Sequence, residues 1–422
     1  MHYKKHTLKN GLRIILAPMQ ETQTATVLVM IGVGSRYEKE SEAGLSHFIE
    51  HMMFKGTKKR PTTLHISEEL DAIGGEFNAF TSKDVTAYYA KTDSKHLKTA
   101  LDVIADMYLN SKLDSLEIEK EKGTIIQEIN MREDNPMGDV GDVFEKLLYK
   151  KNSLGRYVIG YKKTVASFQR KNFIDYLKRF YVANDTVVAV AGKFNELEVI
   201  TQLKKYFRQM KKGQKPLLRK IAEKQKSPAV EIKFKKTDQT HFSIGNRTYP
   251  ENHKDRFVLG LLSIILGGNM SSRLFIEIRE KRGLAYYVRT NNENYQDCGY
   301  LTTQAGVEHE NFALAVATIL QEYKKIATEK VTEKELQRAK DYIKGKSVMG
   351  LESSDEVAMF FIAQEIRKQK ILTIQEIFQR IDKVTSSDIL RVAKDIFRTD
   401  KLNLAVIGPH KNQAKLEALL KI

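Results

Sequence analysis

The sequence predicts an α+β protein made of two tandem homologous αβ domains, each a mostly antiparallel sheet covered by helices. Three observations carry that expectation. The order of predicted elements restarts near the middle of the chain. Within each half, strands come first and long helices follow, the pattern of a sheet with helices laid on it. A polar, strongly basic stretch with Gly213, Pro216 and Pro228 separates the halves, as an interdomain linker would. The domains are expected at 1–207 and 230–422, joined by a linker at 208–229. A chain of 422 residues is long enough to build two cores of that size.

The first half reads as follows. Leu8 to Met19 forms two short strands about Asn10-Gly11, a strong hairpin dipeptide. Thr24 to Val33 is rich in β-formers and suits a buried strand. Gly44 to Gly56 reads as one amphipathic helix, with Ser41 or Ser46 able to cap its start and Gly56 where a C-cap is wanted. Ile66 to Ile73 is helical and ends at Gly74-Gly75, and Val85 to Lys91 is a strand. Leu97 to Asn110 has apolar residues at helical spacing. Leu116 to Arg132 is a helix capped by Asp114, with Glu117 in the capping-box position and Pro136 just past its end. Helical segments follow at Gly141–Lys150 and Ser167–Tyr181, then a buried strand, Val187 to Ala191, and a helix, Glu196 to Phe207.

After the linker the same order returns. The strand around Phe242 to Asn246 takes the place of Thr24 to Val33, and the helix Phe257 to Leu266 takes the place of the first amphipathic helix. Gly299 to Gly306 followed by Phe312 to Ile326 echoes the strand and helix ending at Asn110. The clearest echo is between Phe180–Gly192 and Phe397–Gly408, each followed by a short closing helix.

Composition narrows the function classes. The 70 Lys and Arg outnumber the 53 Asp and Glu, giving a formal charge of +17. Those cations are interleaved with acids along the chain, and no recognition helix, zinc finger or RNA-binding motif accompanies them, so no nucleic-acid partner is expected. One cysteine, Cys298, excludes an internal disulfide framework and a cysteine-built metal site, and fits a reducing compartment. The start of the sequence lacks the apolar run of a signal peptide, and no stretch approaches a membrane span. The expected address is the cytoplasm, with no membrane partner.

The chemistry-bearing motif lies in the first amphipathic helix. His47 and His51 are four apart and leave the same face, with Glu50 at its edge. Two neutral imidazoles so placed can grip Zn²⁺ and leave positions for a third ligand and a water. A neighbouring carboxylate can take the proton of that water. The pattern is H-x-x-E-H. A histidine pair and a glutamate also form ordinary polar helix edges. Downstream, Glu117, Glu121, Thr124 and Glu128 make a stripe on one helical face, which must be solvated or opposed by positive charge. The second half has no His or Glu at the matching position, so any metal belongs to the first half.

His47-Phe-Ile-Glu50-His51, the acidic helix through Glu121 and Glu128, the stretch Asn78-Ala79-Phe80-Thr81 and the segment Arg279 to Tyr286 together resemble the pitrilysin/insulinase-type inverzincin metallopeptidases. The similarity is to the short, processing-protease-like branch that includes bacterial peptidases and the mitochondrial processing peptidase β-subunit, and it covers nearly the whole chain. The resemblance implies a zinc endopeptidase for unfolded peptides working inside a closed chamber. It implies that His47, His51 and Glu128 ligate Zn²⁺, Glu128 falling at the family's spacing from the second histidine. Glu50 would be the general base and later the proton donor to the leaving amine. Glu121 would orient a histidine ligand. Asn78 and Ala79 would sit on an edge strand that pairs with peptide backbone. Tyr286 would donate to the oxyanion and Arg279 would hold the substrate backbone, with Arg282 and Tyr287 as rivals that spacing leaves open. It further implies a homodimer, since one chain carries both residue sets. A catalytically silent scaffold or substrate-holding subunit is the alternative, although such members typically lose motif residues that all stand here. The chain's own basicity disfavours basic presequences and favours general peptide degradation or processing.

Overall fold

The computed structural model describes residues 2–150, 152–214, 218, 220–222 and 224–422. In chain order its strands are β1 (Lys4–Thr7), β2 (Arg13–Pro18), β3 (Thr24–Ile31), β4 (Glu76–Thr81), β5 (Thr86–Asp93), β6 (Thr186–Gly192), β7 (Ala229–Phe234), β8 (Thr240–Thr248), β9 (Ala285–Asn294), β10 (Gly299–Val307) and β11 (Asn403–Gly408). Its first eight helices are α1 (Leu45–Met53), α2 (Thr63–Asp71), α3 (Leu97–Asn110), α4 (Ser115–Asp134), α5 (Pro136–Leu148), α6 (Lys162–Ser167), α7 (Arg170–Phe180) and α8 (Glu196–Phe207). The remainder are α9 (Arg256–Gly267), α10 (Phe312–Thr328), α11 (Glu333–Gly350), α12 (Ser354–Ile366), α13 (Ile374–Asp382), α14 (Ser386–Ile396) and α15 (Gln413–Glu417).

The chain forms two compact units that are not contiguous in sequence. The first holds Met1–Asn130, Arg156–Leu218 and Ser347–Ile374; the second holds Met131–Gly155, Arg219–Lys346 and Gln375–Ile422. The units therefore differ from the contiguous domains expected at 1–207 and 230–422. Segment 131–155, with α5, counts with the second unit, and segment 347–374, with α12, counts with the first. The reason is hydrophobic. Each sheet has two apolar faces, and in each unit one of these is covered by the helix that arrives from the other half of the chain.

In the first unit the strand order is β1-β2-β6-β3-β5-β4. Its central strands are apolar on both faces, as strands covered twice must be. Val27 to Ile31 in β3 are all at most 2% exposed. Val27, Val29 and Ile31 pack with Phe48 and Ile49 of α1 and Leu101 and Ile104 of α3. Leu28 and Met30, with Ile15, Val187 and Ala189, pack instead against Val357, Phe361 and Ile362 of α12. The Asn10-Gly11 hairpin forms as expected, with Thr7 opposite Arg13, but its first strand lies earlier, at Lys4–Thr7. The Asn10 amide donates to Phe207 O and Met210 O at 2.8 and 3.0 Å, tying the turn to the end of α8.

The second unit repeats the plan with strand order β7-β11-β8-β10-β9. In each sheet one parallel pair, β2–β6 or β7–β11, sits beside antiparallel neighbours. Helices α9, α10 and α14 cover one face through Leu262, Ile319 and Val392 against Ile244 and Val406. Helix α5 covers the other with Val140, Val143 and Phe144 against Tyr300, Ala405 and Ile407.

Two boundaries differ from expectation. Pro136 does not merely follow a helix; it opens α5, with the Asn135 side chain accepting from Gly138 N, so that helix starts before Gly141. Of the expected linker 208–229, residues 215–217, 219 and 223 lie outside the described residues. Gly213 is held in the first unit by two 2.9 Å bonds to the Asn184 side chain. Ile221 N donates to Asp297 Oδ2 in the second unit, and β7 already begins at Ala229. Among the described residues no helix is long and apolar enough to cross a membrane.

Candidate active site

Helix α1 is placed by its first turn. The cap position is Gly44, which has no side chain to offer; neither Ser41 nor Ser46 caps the helix. The Glu38 carboxylate does so instead, accepting from Gly44 N at 2.9 Å and Ser46 N at 2.7 Å. The Ser46 hydroxyl bonds Tyr176 at 2.6 Å. Gly44 takes φ 97°, and a Cβ there would meet Ile159 O at 2.6 Å. At the other end Phe54 is the C-cap, and Gly56 lies two residues beyond it.

On the partly buried polar edge of α1, His47 and His51 face α4. Asp114 caps α4 as expected, accepting from Leu116 N at 2.9 Å. Glu117 does not complete a capping box; its carboxylate accepts from Lys120. His47 Nε2 lies 3.6 Å from Glu128 Oε1, and His51 Nε2 lies 3.7 Å from Glu128 Oε2. One ligand atom from each of the three falls within 4.8 Å of the others. Ligands about 2.0–2.1 Å from a tetrahedral Zn²⁺ stand about 3.4 Å apart, so the two His–Glu separations suit the ion.

Glu121 settles the imidazole chemistry. It is 5% exposed, its Oε1 lies 2.8 Å from His51 Nδ1, and its Oε2 accepts from Lys55 Nζ at 2.6 Å. Burial pushes its carboxyl up, but the hydrogen bonds from His51 and Lys55 outweigh burial and hold it below the ordinary carboxylate value. An anionic Glu121 accepts a hydrogen bond from the Nδ1–H of His51, and in the neutral imidazole this leaves the Nε2 lone pair facing Glu128. That is the tautomer a metal ligand needs.

Glu50 lies on α1 between the histidines, and the Thr81 hydroxyl at the end of β4 donates to its Oε2. Burial raises the Glu50 carboxyl above its ordinary value; the nearby charge of Glu128 adds to the rise, while Thr81 and His51 oppose it. A raised carboxylate is a better base. Strand β4 is the edge of the first sheet, pairing only with β5. Asn78 and Ala79 lie opposite Tyr89 and Tyr88. Ala79 N donates to the Asn78 side chain at 2.8 Å, not to a strand, so it faces the open edge.

Arg279 and Tyr286 belong to the second unit. Arg279 lies in a π-helical stretch, Phe275–Glu280, and donates to Tyr286 O at 2.9 Å, its guanidinium 4.8 Å from the Tyr286 ring centre. Tyr286 is 79% exposed. Its rivals are engaged elsewhere: Arg282 pairs with Glu277, and the Tyr287 hydroxyl bonds His241 Nδ1 at 2.9 Å.

Comparison with known proteins gives this site its family. The family described as Insulinase (Peptidase family M16) matches residues 13–162, and that described as Peptidase M16 inactive domain matches 167–343. An uncharacterized zinc protease of Bacillus subtilis, YmxG, is 35% identical over 411 residues, covering 97% of this chain and 99% of that protein. The chain belongs to the insulinase family of peptidases, M16. Another uncharacterized zinc protease, from Rickettsia felis, is 35% identical to this M16 chain over 417 residues, covering 96% and 97% of the two. The crystal structure of a protease from Helicobacter pylori matches it with a TM-score of 0.90 at 25% identity, covering 97% of this chain and 99% of that one.

Sequence reasoning missed three residues around this M16 site. Lys55 lies just past the C-cap of α1, and nothing in its local spacing pairs it with Glu121 on α4. Thr81 lies within the stretch that carries the resemblance, yet nothing local assigns it to Glu50. Glu38 carries no local signal as a cap, because the turn that brings it back to Gly44 is not a helical repeat.

Proposed function

We propose that this M16 chain is a zinc-dependent endopeptidase that hydrolyses unfolded peptides. The observation that carries the reading is the Glu121–His51 hydrogen bond, which leaves His51 Nε2 turned toward Glu128. His47, His51 and Glu128 would hold the ion. When bound, Zn²⁺ supplies a Lewis acid that polarises the scissile carbonyl and lowers the pKa of water. Glu50 then accepts the proton of the attacking water and delivers it to the departing amine nitrogen. Thr81 orients the Glu50 carboxylate for both transfers. The open edge of β4 at Asn78 and Ala79 pairs with an extended peptide through main-chain bonds, which reads unfolded backbone and few side chains. Tyr286 donates a hydrogen bond to the oxyanion, and Arg279 holds the substrate backbone.

The assembly we propose is a homodimer enclosing a chamber, because the one chain carries both the His/Glu set and the Arg/Tyr pair. With a formal charge of +17, general degradation or processing of non-basic peptides suits it better than recognition of basic presequences.

The test is zinc content and cleavage of a quenched, unstructured peptide by wild type and Glu50→Gln. Wild type should hold about one zinc per chain and cleave; the variant should keep its zinc and lose activity by about 10²-fold or more. Zinc binding without cleavage of a varied peptide set would instead identify a silent scaffold or substrate-holding subunit. A chain that binds no zinc would remove the ligand assignment itself.

A further inference from the structure

Tyr286 is set into an irregular stretch of β9. Ala285 pairs with Val307 of β10, and Val288 pairs with Ala305. Two residues of β9, Tyr286 and Tyr287, therefore stand opposite one residue of β10, Gly306, which is a β-bulge. In a regular strand, residues three apart face opposite sides. Here Ala285 and Val288 are both buried, at 7% and 6% exposure, while Tyr286 between them is 79% exposed. The bulge is what turns Tyr286 outward.

A lock beside Tyr286 holds this bulge. The Tyr287 ring crosses β10 to reach β8, where its hydroxyl bonds His241 Nδ1 at 2.9 Å and the two rings lie nearly parallel, 22° apart. His241 is the β8 partner of Gly306. A Cβ on Gly306 would stand 2.7 Å from Tyr287 Cε1 and 3.0 Å from His241 Nδ1, so the crossing needs glycine there. On the other side, Arg279 fixes the Tyr286 carbonyl at 2.9 Å. No hydrogen bond from another described residue holds the Tyr286 hydroxyl.

We propose that His241 and Tyr287 are positioning residues: their hydrogen bond across Gly306 holds the bulge that aims Tyr286 at peptide substrate. This rests on the reading of Tyr286 as the oxyanion donor. Neither His241 nor Tyr287 touches the substrate; both act through Tyr286.

The test has a structural arm and a kinetic arm, on the full-length chain. In the first, tyrosine ring carbons are labelled with ¹³C, and the Tyr286 signal is identified by its loss in Tyr286→Phe. Tyr287→Phe and Gly306→Ala should each shift or broaden that signal and leave most other tyrosine signals in place. A Tyr286 signal unmoved in both variants overturns the inference, whatever the activity. In the second arm, Tyr287→Phe should lower kcat about tenfold with KM within about twofold. The double variant Tyr286→Phe/Tyr287→Phe should be no slower than Tyr286→Phe alone, because one route to the transition state is removed once. Effects that multiply would mean Tyr287 acts independently of Tyr286, which overturns it. A wild type that cleaves nothing counts against the peptidase reading alone, because the signals still decide whether His241 and Tyr287 position Tyr286.

Discussion

Glu121 shows how one carboxylate sets the chemistry of a neighbour. Its bonds to His51 and Lys55 fix both its own charge and the His51 tautomer. Replacing Glu121 with Gln keeps the size but loses the anion, so zinc affinity should fall about 10- to 100-fold, read by competition with a chelator. Glu38 makes a different residue-scale prediction. It is buried, and burial pushes its carboxyl up to about 7 from an ordinary 4.5, against the lowering effect of its bonds to Ser46 and Gly44. A group raised on folding contributes stability below its unfolded value and loses that contribution as pH rises through its folded value. Stability should therefore decline between about pH 4.5 and about pH 7 on account of Glu38, and Glu38→Gln should flatten that part of the profile. Urea midpoints across this range measure it. Glu38 and Glu121 are alike in being buried acids that hold α1, the helix of His47 and His51, one by its backbone and one by a side chain.

Helix α1 is fixed more by its entry than by its own propensity. With nine residues it is too short to be stable alone. Its apolar residues Phe48, Ile49, Met52 and Met53 are fully buried, and its first turn fits against Ile159 and Gly160. Gly44→Ala adds a Cβ at a left-handed position and drives it toward Ile159 O. The conformational part alone costs about 1–2 kcal/mol, and the close approach adds to it. Lower stability in urea and weaker zinc retention should appear together, because α1 carries both histidines. A loss of stability with zinc affinity unchanged would mean the helix entry does not position them. Helix α12 is the matching case on the far face of the first sheet. Phe361 is fully buried against it, and Phe361→Ala should destabilise by about 3–5 kcal/mol.

At the scale of the whole molecule, each sheet depends on a helix from the other half of the sequence. Cutting the chain after 207 would leave Ile15, Leu28, Met30, Val187 and Ala189 without their cover from α12. An isolated 1–207 fragment should therefore bind a hydrophobic dye such as ANS and aggregate. Supplying a peptide of residues 347–374 should reduce both. A fragment that is soluble and folded by itself would show that the exchange of helices is dispensable.

The strands, the long helices and the repeated order were legible in the sequence, because period and composition report which faces are buried. His47, Glu50, His51 and the acidic row on α4 were legible for the same reason: side chains three, four or seven apart share a helical face whatever the rest of the chain does. The structure brings Glu128 and Glu121 to the two histidines, which the row alone left as either solvated or opposed by positive charge. Other features needed the tertiary fold. The division of the chain into units depends on which helix covers which sheet face, and apolar helices such as α5 and α12 fit their own half as well as the other by pattern alone. The capping of α1 by Glu38, the orientation of Glu50 by Thr81 and the exposure of Tyr286 beside a bonded Tyr287 each depend on where a turn, a strand end or a bulge places one atom. Local spacing carries no record of such placements, because they arise from residues brought together only when the sheets close.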